Sequence, residues 1–304
     1  MEKSDPPLSE QSLTASFEAV LTLKHDQIKL TMAKVILETG YSDKSVDMAL
    51  VSESRHGDSN LPFCSLLLYY KARVNHQKGE ALNIATSKGA LSLLEKMLAG
   101  KHASEGSLAR SFITSQSLDS HTRPAAMEFI FKAGLRTIRT QEKIDDALLK
   151  LVQTRPTDMP SLKVLLENGA SIHFQGHHAL KHAAETSDNA VLEMLLKYVQ
   201  DRTATSCVFN WFKGKLVVHG FWKSKPGLDT LELLLRNGAK GEAVNEALVL
   251  AVTEHHIEPF AEPFLALLLQ WDVDVNWNAG QALQVAVKQG NLQALSRLFV
   301  KNAI

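Results

Sequence analysis

Four histidines, His173, His177, His178 and His182, form the most inviting group of potential metal ligands in the chain. His178 and His182 are four residues apart, so a helix would carry them on one face, as it carries pairs of zinc ligands. No glutamate stands between them in the metalloprotease arrangement, and no cysteine is near. The stretch from His173 to His178 also coincides with a turn of the repeat described below. The expectation is therefore solvent-exposed turn histidines and no bound metal.

Acidic pairs are read the same way. Asp145-Asp146 stands where a helix begins, and acids favour the positive end of the helix dipole. Glu254–Glu262, which contains Pro259, reads as an extended connection leading to Pro263. The chain has no glycine loop that would cradle a phosphate, no Gly-x-Ser-x-Gly elbow and no Cys/His pair at catalytic spacing. The reading is a non-enzyme with no catalytic residues and no cofactor.

One segment departs from the rest. Residues 202–228 carry Phe209, Trp211, Phe212, Phe221 and Trp222 beside Arg202, Lys213, Lys215, Lys223 and Lys225, with no acidic residue. Such an insertion could grip an acidic peptide, a nucleic-acid strand or a phosphate. The competing expectation is a lengthened helical hairpin whose rings join the core, and it is preferred, because aromatics in a repeat array usually find core. Within it, Trp211 is expected in the core and Trp222 at the surface.

The elements that must position these residues repeat along the chain. Three turns read Tyr69-Tyr70-Lys71-Ala72-Arg73-Val74-Asn75, Glu167-Asn168-Gly169-Ala170-Ser171-Ile172-His173 and Gln270-Trp271-Asp272-Val273-Asp274-Val275-Asn276. An Ala-Leu segment follows each one: Ala81-Leu82, Ala179-Leu180 and Ala282-Leu283. The turn positions fall at Gly40, Lys71, Lys101, Gly134, Gly169, Val199, Gly238, Asp272 and Asn302, at intervals of 31, 30, 33, 35, 30, 39, 34 and 30 residues. A period of about 33 admits two short helices and a turn. Leucine pairs such as Leu165-Leu166 and Leu234-Leu235 close the second helix just before the turn. Gly169 and Gly238 suit the left-handed backbone past a helix end.

A longer period lies above the first. Asn75, His173 and Asn276 hold the same place 98 and 103 residues apart. The preceding segments match too: Val46-Asp47-Met48-Ala49-Leu50, Ile144-Asp145-Asp146-Ala147-Leu148 and Val244-Asn245-Glu246-Ala247-Leu248. The chain reads as a tripled block of three repeats.

These residues resemble ankyrin-repeat proteins, in particular the divergent arrays of large fungal proteins. The resemblance runs from about Leu13 to Ile304, without the usual Thr-Pro-Leu-His opening of the first helix. It implies an all-α ankyrin-repeat solenoid of about nine helix-turn-helix units, curved and elongated, behind a polar cap or tail at residues 1–12. It also implies a protein-interaction scaffold that binds through turn tips and first helices. Laid on this chain, that arrangement puts Arg73, His76, Lys78, Arg139, Phe174, His177 and Trp277 near the tips, with Trp222 added from the insertion. Aromatic and arginine side chains are the usual anchors of interfaces. The alternative is the sensor or spacer segment of a larger, receptor-like multidomain protein.

Composition agrees with a packed array. Hydrophobic residues make up 45% of the 304, with 9 prolines and 16 glycines. The 33 basic and 33 acidic side chains balance, which removes the general attraction to nucleic acid or an anionic membrane. The expected partner is a protein, and the expected state a monomer. Cys64 and Cys207 lie far apart in different repeats, out of disulfide reach. Low cysteine use, a polar start without a signal core and no long apolar run point to the cytoplasm or nucleus.

Overall fold

A computed structural model describes residues 8–100, 102–135, 138–255 and 261–302, with the side chains of 138, 139, 202, 215–219, 221 and 302 left undescribed. Lys101, the connection at 256–260, and the side chains of Arg139, Arg202, Lys215, Phe221 and Asn302 therefore lie outside the described residues, as do most of the polar N-terminal stretch and the final Ala303-Ile304. All regular structure among the described residues is helical, with no strand.

Contacts divide the chain into two compact units, Met1–Lys143 and Ile144–Ile304, where the sequence reads one array from 13 to 304. The first unit holds α1 (Glu10–Leu21), α2 (Asp26–Thr39), α3 (Asp43–Glu53), a 3₁₀ stretch (Ser54–Asn60), α4 (Leu61–Tyr69), α5 (His76–Ser87), α6 (Leu91–Leu98), α7 (Glu105–Ser115) and α8 (Arg123–Lys132). Helix α9 (Ile138–Gln153) follows. The second unit continues with α10 (Met159–Glu167), α11 (Phe174–Glu185), α12 (Asn189–Leu196), α13 (Arg202–His219), α14 (Lys225–Arg236), α15 (Glu242–Glu254), α16 (Ala261–Gln270), α17 (Trp277–Lys288) and α18 (Leu292–Asn302). Helix α1 starts at Glu10 because Ser9 caps it, accepting from the N–H of Ser12 at 3.1 Å. The helical chain thus begins inside the segment that the sequence assigns to a polar tail.

Within each unit the helices pair and the pairs stack. In the first, α1 packs on α2, α3 on α4, α5 on α6 and α7 on α8. One row runs α1, α3, α5, α7 and the other α2, α4, α6, α8. In the second unit α11, α13, α15 and α17 form one row, and α10, α12, α14, α16 and α18 the other. Helices of 8 to 12 residues, such as α6 and α14, are too short to stand alone in water. Burial supplies the rest, at roughly 1.5–3 kcal/mol for each leucine removed from water.

Second helices bury their side chains in a fixed pattern. Positions i, i+1, i+4 and i+5 are Leu93, Leu94, Met97 and Leu98 in α6, Val191, Leu192, Leu195 and Leu196 in α12, and Thr230, Leu231, Leu234 and Leu235 in α14; all are buried. After α4, α10 and α14 the chain leaves the helix through a left-handed residue. Gly169 and Gly238 have φ of 88° and 94°, and Lys71 takes the same region at 63° despite its side chain.

The tripled block is visible in the backbone. The N–H groups of Ala90, Asp188 and Asn291 donate to the carbonyls of Ala85, Ala183 and Ala286 at 3.0, 3.0 and 2.9 Å. Each of these residues leads into a second helix. Asp188 and Asn291 cap it through their own side chains, accepting from Val191 and Ala294 at 3.2 and 3.0 Å. Ala90 cannot, and the carboxylate of Asp58 substitutes from the preceding pair, accepting from Leu93 N–H at 2.8 Å.

Candidate functional site

Three turns carry most of the expected contact residues, and the same buried side chain builds each of them. Asp47 accepts from the backbone N–H of Arg73 at 2.6 Å, Asp145 from Ser171 at 2.6 Å, and Asn245 from Asp274 at 2.9 Å. These acceptors are 1%, 6% and 9% exposed. A buried donor or acceptor left unpaired costs about 1–3 kcal/mol, so each side chain pins its turn to the neighbouring first helix.

After the turn the backbone makes three successive left-handed residues: Gln77, Lys78 and Gly79, then Gln175, Gly176 and His177, then Asn278, Ala279 and Gly280. Non-glycine residues pay a steric cost there. At Gly79 a side chain is excluded outright, since a methyl would stand 2.5 Å from Cβ and Oγ of Ser107 on α7. These turns present the side chains that flank them in one repeated geometry.

In the first unit the turn is basic. The Arg73 guanidinium meets Asp47 at 2.6 Å, and that partner raises its pKa further, first by hydrogen bonding and then by charge. His76 sits behind it, with Nδ1 3.5 Å from Asp47 and a buried Nε2 that has no partner. Lys78 is exposed. Between this turn and the end of α6 lies a groove of about 520 Å³ with Leu68 and Met97 among its apolar lining. Lys71, Arg73, Lys96 and His102 also line it, and no acidic side chain does. Asp47 neutralises Arg73, so Lys71 and Lys96 carry the free charge. The groove wall is held by Asn75, whose amide donates to the carbonyl of His102 and accepts from Ser104 N–H, both at 2.6 Å.

In the second unit the corresponding turns are aromatic. Phe174 and Trp277 are each half-buried, at the starts of α11 and α17, with α13 and α15 between those helices in the row. His173 and His177 face each other, with Nδ1 atoms 3.2 Å apart and rings edge to face at 4.9 Å. His178 is exposed instead of joining them. Among the described residues no three His, Cys, Asp or Glu side chains are arranged to hold a metal. Burial, then His173 and Lys181, holds His177 below its ordinary pKa of 6.5; burial, then Arg155, does the same for His182.

A histidine whose folded pKa is depressed binds fewer protons in the native state. Its stabilising contribution is present above the unfolded pKa and is lost as pH falls through the folded one. The melting temperature should therefore fall as the pH drops below about 6.5, and a His177→Gln/His182→Gln variant should flatten that slope. An unchanged slope in thermal melts of the variant would remove these two groups from the account.

Trp222 corrects the sequence reading. It is 2% exposed and stacks on Phe264 of α16, ring centroids 5.8 Å apart and planes 12° from parallel. Lys223 covers it, with Nζ 5.1 Å from the ring centroid. The ring is therefore part of the core and is not offered to a partner. Trp211, expected in the core, is only half-buried on α13, while Phe209 and Phe212 of the same helix are fully enclosed. The insertion is thus a lengthened first helix of 18 residues with its connection, in line with the hairpin alternative.

Sequence reasoning missed a groove of about 780 Å³ between α13 and α15, lined by Thr203, Ser206, Cys207, Asn210, Lys213 and Glu246 among others. Its residues are too far apart in sequence to read as a set. There Lys213, one of the basic residues of the insertion, is ion-paired with Glu246. Cys207 is an exposed free thiol, whereas burial pushes the Cys64 thiol up to about 12. No helix among the described residues is long and apolar enough to cross a membrane.

No protein-family model matches this chain, and none of the curated proteins matches it in sequence.

Proposed function

We propose that the chain is a non-catalytic protein-interaction module of the divergent ankyrin-repeat type, which takes an acidic, partly apolar peptide segment at its turns. The observation that carries this reading is the groove in the first unit, where an apolar lining adjoins Lys71 and Lys96 and contains no acidic side chain. A chain of zero net charge has no general pull on anions, so a local basic groove selects by position. Support for the repeat type comes from the period near 33 and the paired, stacked helices in each unit. Phe174 and Trp277 give the equivalent turns of the second unit half-exposed rings suited to apolar side chains.

The test uses a fluorescein-labelled peptide of alternating glutamate and leucine, followed by fluorescence anisotropy. Binding should weaken with added salt, since exposed charges are screened over about 8 Å at physiological ionic strength. The Lys71→Glu/Lys96→Glu variant should bind at least about tenfold more weakly, equivalent to some 1.4 kcal/mol. Binding indifferent to both salt and charge reversal, or none at all, would reject the groove as the site.

A further inference from the structure

The burial pattern of the second helices separates into two faces. In α6, α12 and α14, each with a neighbour on either side in its row, all four positions i, i+1, i+4 and i+5 are enclosed. Helix α2 has α4 as its neighbour in the row, and among the described residues no helix precedes it in that row. Its second and fourth positions, Ala33 and Leu37, are buried at 0% and 2%. Its first position, Met32, is 48% exposed, and its third, Ile36, is half-buried. Ile28 and Val35 extend the same open stripe at 53% and 58%.

Helix α18 shows the opposite half. It packs on α16, and its first and third positions, Ala294 and Leu298, are each 0% exposed. Its second and fourth, Leu295 and Phe299, are half-buried and 57% exposed. Their block equivalents, Leu94 and Leu98 in α6 and Leu192 and Leu196 in α12, are all buried beneath the next helix pair. The adjoining first helix agrees: Val287 of α17 is 63% exposed, whereas its equivalents Thr86 and Ala184 are 0% exposed. Thus the second-and-fourth face of one helix seats on the first-and-third face of its successor. Met32 with Ile36, and Leu295 with Phe299, are the two unmatched halves of that one contact.

We propose that these halves meet between two copies of the chain, α18 of one copy stacking on α2 of the other. Each half is apolar and already has the form that its partner face accepts inside the chain. Exposed apolar stripes of this kind mark association surfaces. The contact uses two different faces, so it is heterologous: a pair of copies retains one open face of each kind and can add further copies. This runs against the monomer expected from sequence, and it stands apart from the peptide groove near Lys71.

Sedimentation equilibrium of the full chain, with Met32→Asp and Phe299→Asp variants, tests the proposal. Both residues are about half exposed, so far-ultraviolet circular dichroism and melting should match the parent. The unmodified chain should rise with concentration from 33.5 kDa to twice that mass and beyond. Each variant alone should stay at 33.5 kDa, because one half of every contact is spoiled. An equimolar mixture should form a dimer and stop there, since Met32→Asp keeps an intact α18 face and Phe299→Asp an intact α2 face. A parent chain that stays at 33.5 kDa, a single variant that still associates, or a mixture that remains monomeric would each overturn the head-to-tail contact.

Discussion

Trp222→Ala should cost about 3–5 kcal/mol of unfolding free energy, because it empties a volume that the surrounding structure refills only in part. The ring is 2% exposed and lies flat against Phe264, so the substitution removes a stacked pair as well as buried area. Trp211→Ala, at a half-buried position on α13, should cost clearly less. Urea unfolding followed by circular dichroism measures both, and an unchanged denaturant slope would show that stability alone has moved. If Trp211→Ala proved the costlier change, Trp222 would not belong to the core. The order is the reverse of what the local sequence suggests. Gly220, Lys223 and Pro226 surround Trp222 with the residues of a connection, and nothing nearby in the chain announces Phe264.

A comparable loss is expected in the first unit. Lys29 donates to Glu53 at 2.7 Å, with side chains 9% and 4% exposed, and lies over the Phe63 ring at 5.0 Å. Asn60 donates its amide to the second carboxylate oxygen. Lys29→Ala would leave the Glu53 carboxylate buried with only that amide, which costs about 3–5 kcal/mol. A Lys29→Met/Glu53→Gln variant should recover much of the loss, since replacing both members removes the stranded charge. Added salt should change little, because a buried pair is poorly screened. Thermal melts that put the double variant below Lys29→Ala would contradict this account. The pair also shows how a charged residue can be buried within a repeat. Lys29 fills the site taken by Asp188 and Asn291 elsewhere, and Glu53 neutralises it from α3.

What the sequence by itself determined was the local order. Leucine pairs every 33 or so residues, Ala-Leu openings and glycines at turns imposed short helices, their sequence and their stops, since helix propensity and left-handed backbone are properties of neighbouring residues. The tripled block was also legible, because Asp47, Asp145 and Asn245 recur in matched segments. Their role was not. Each reaches a backbone N–H 26 to 29 residues further on, and spacing alone does not say which group a buried side-chain oxygen will find. Tertiary structure alone decided the placement of Trp222, the binding of Arg73 by Asp47, the pairing of Lys213 with Glu246, and the gathering of Lys71, Lys96 and His102 around one groove. It also decided which half of each terminal helix stays open. Burial and charge pairing depend on what a neighbouring helix brings, and that neighbour lies a full repeat away in the chain.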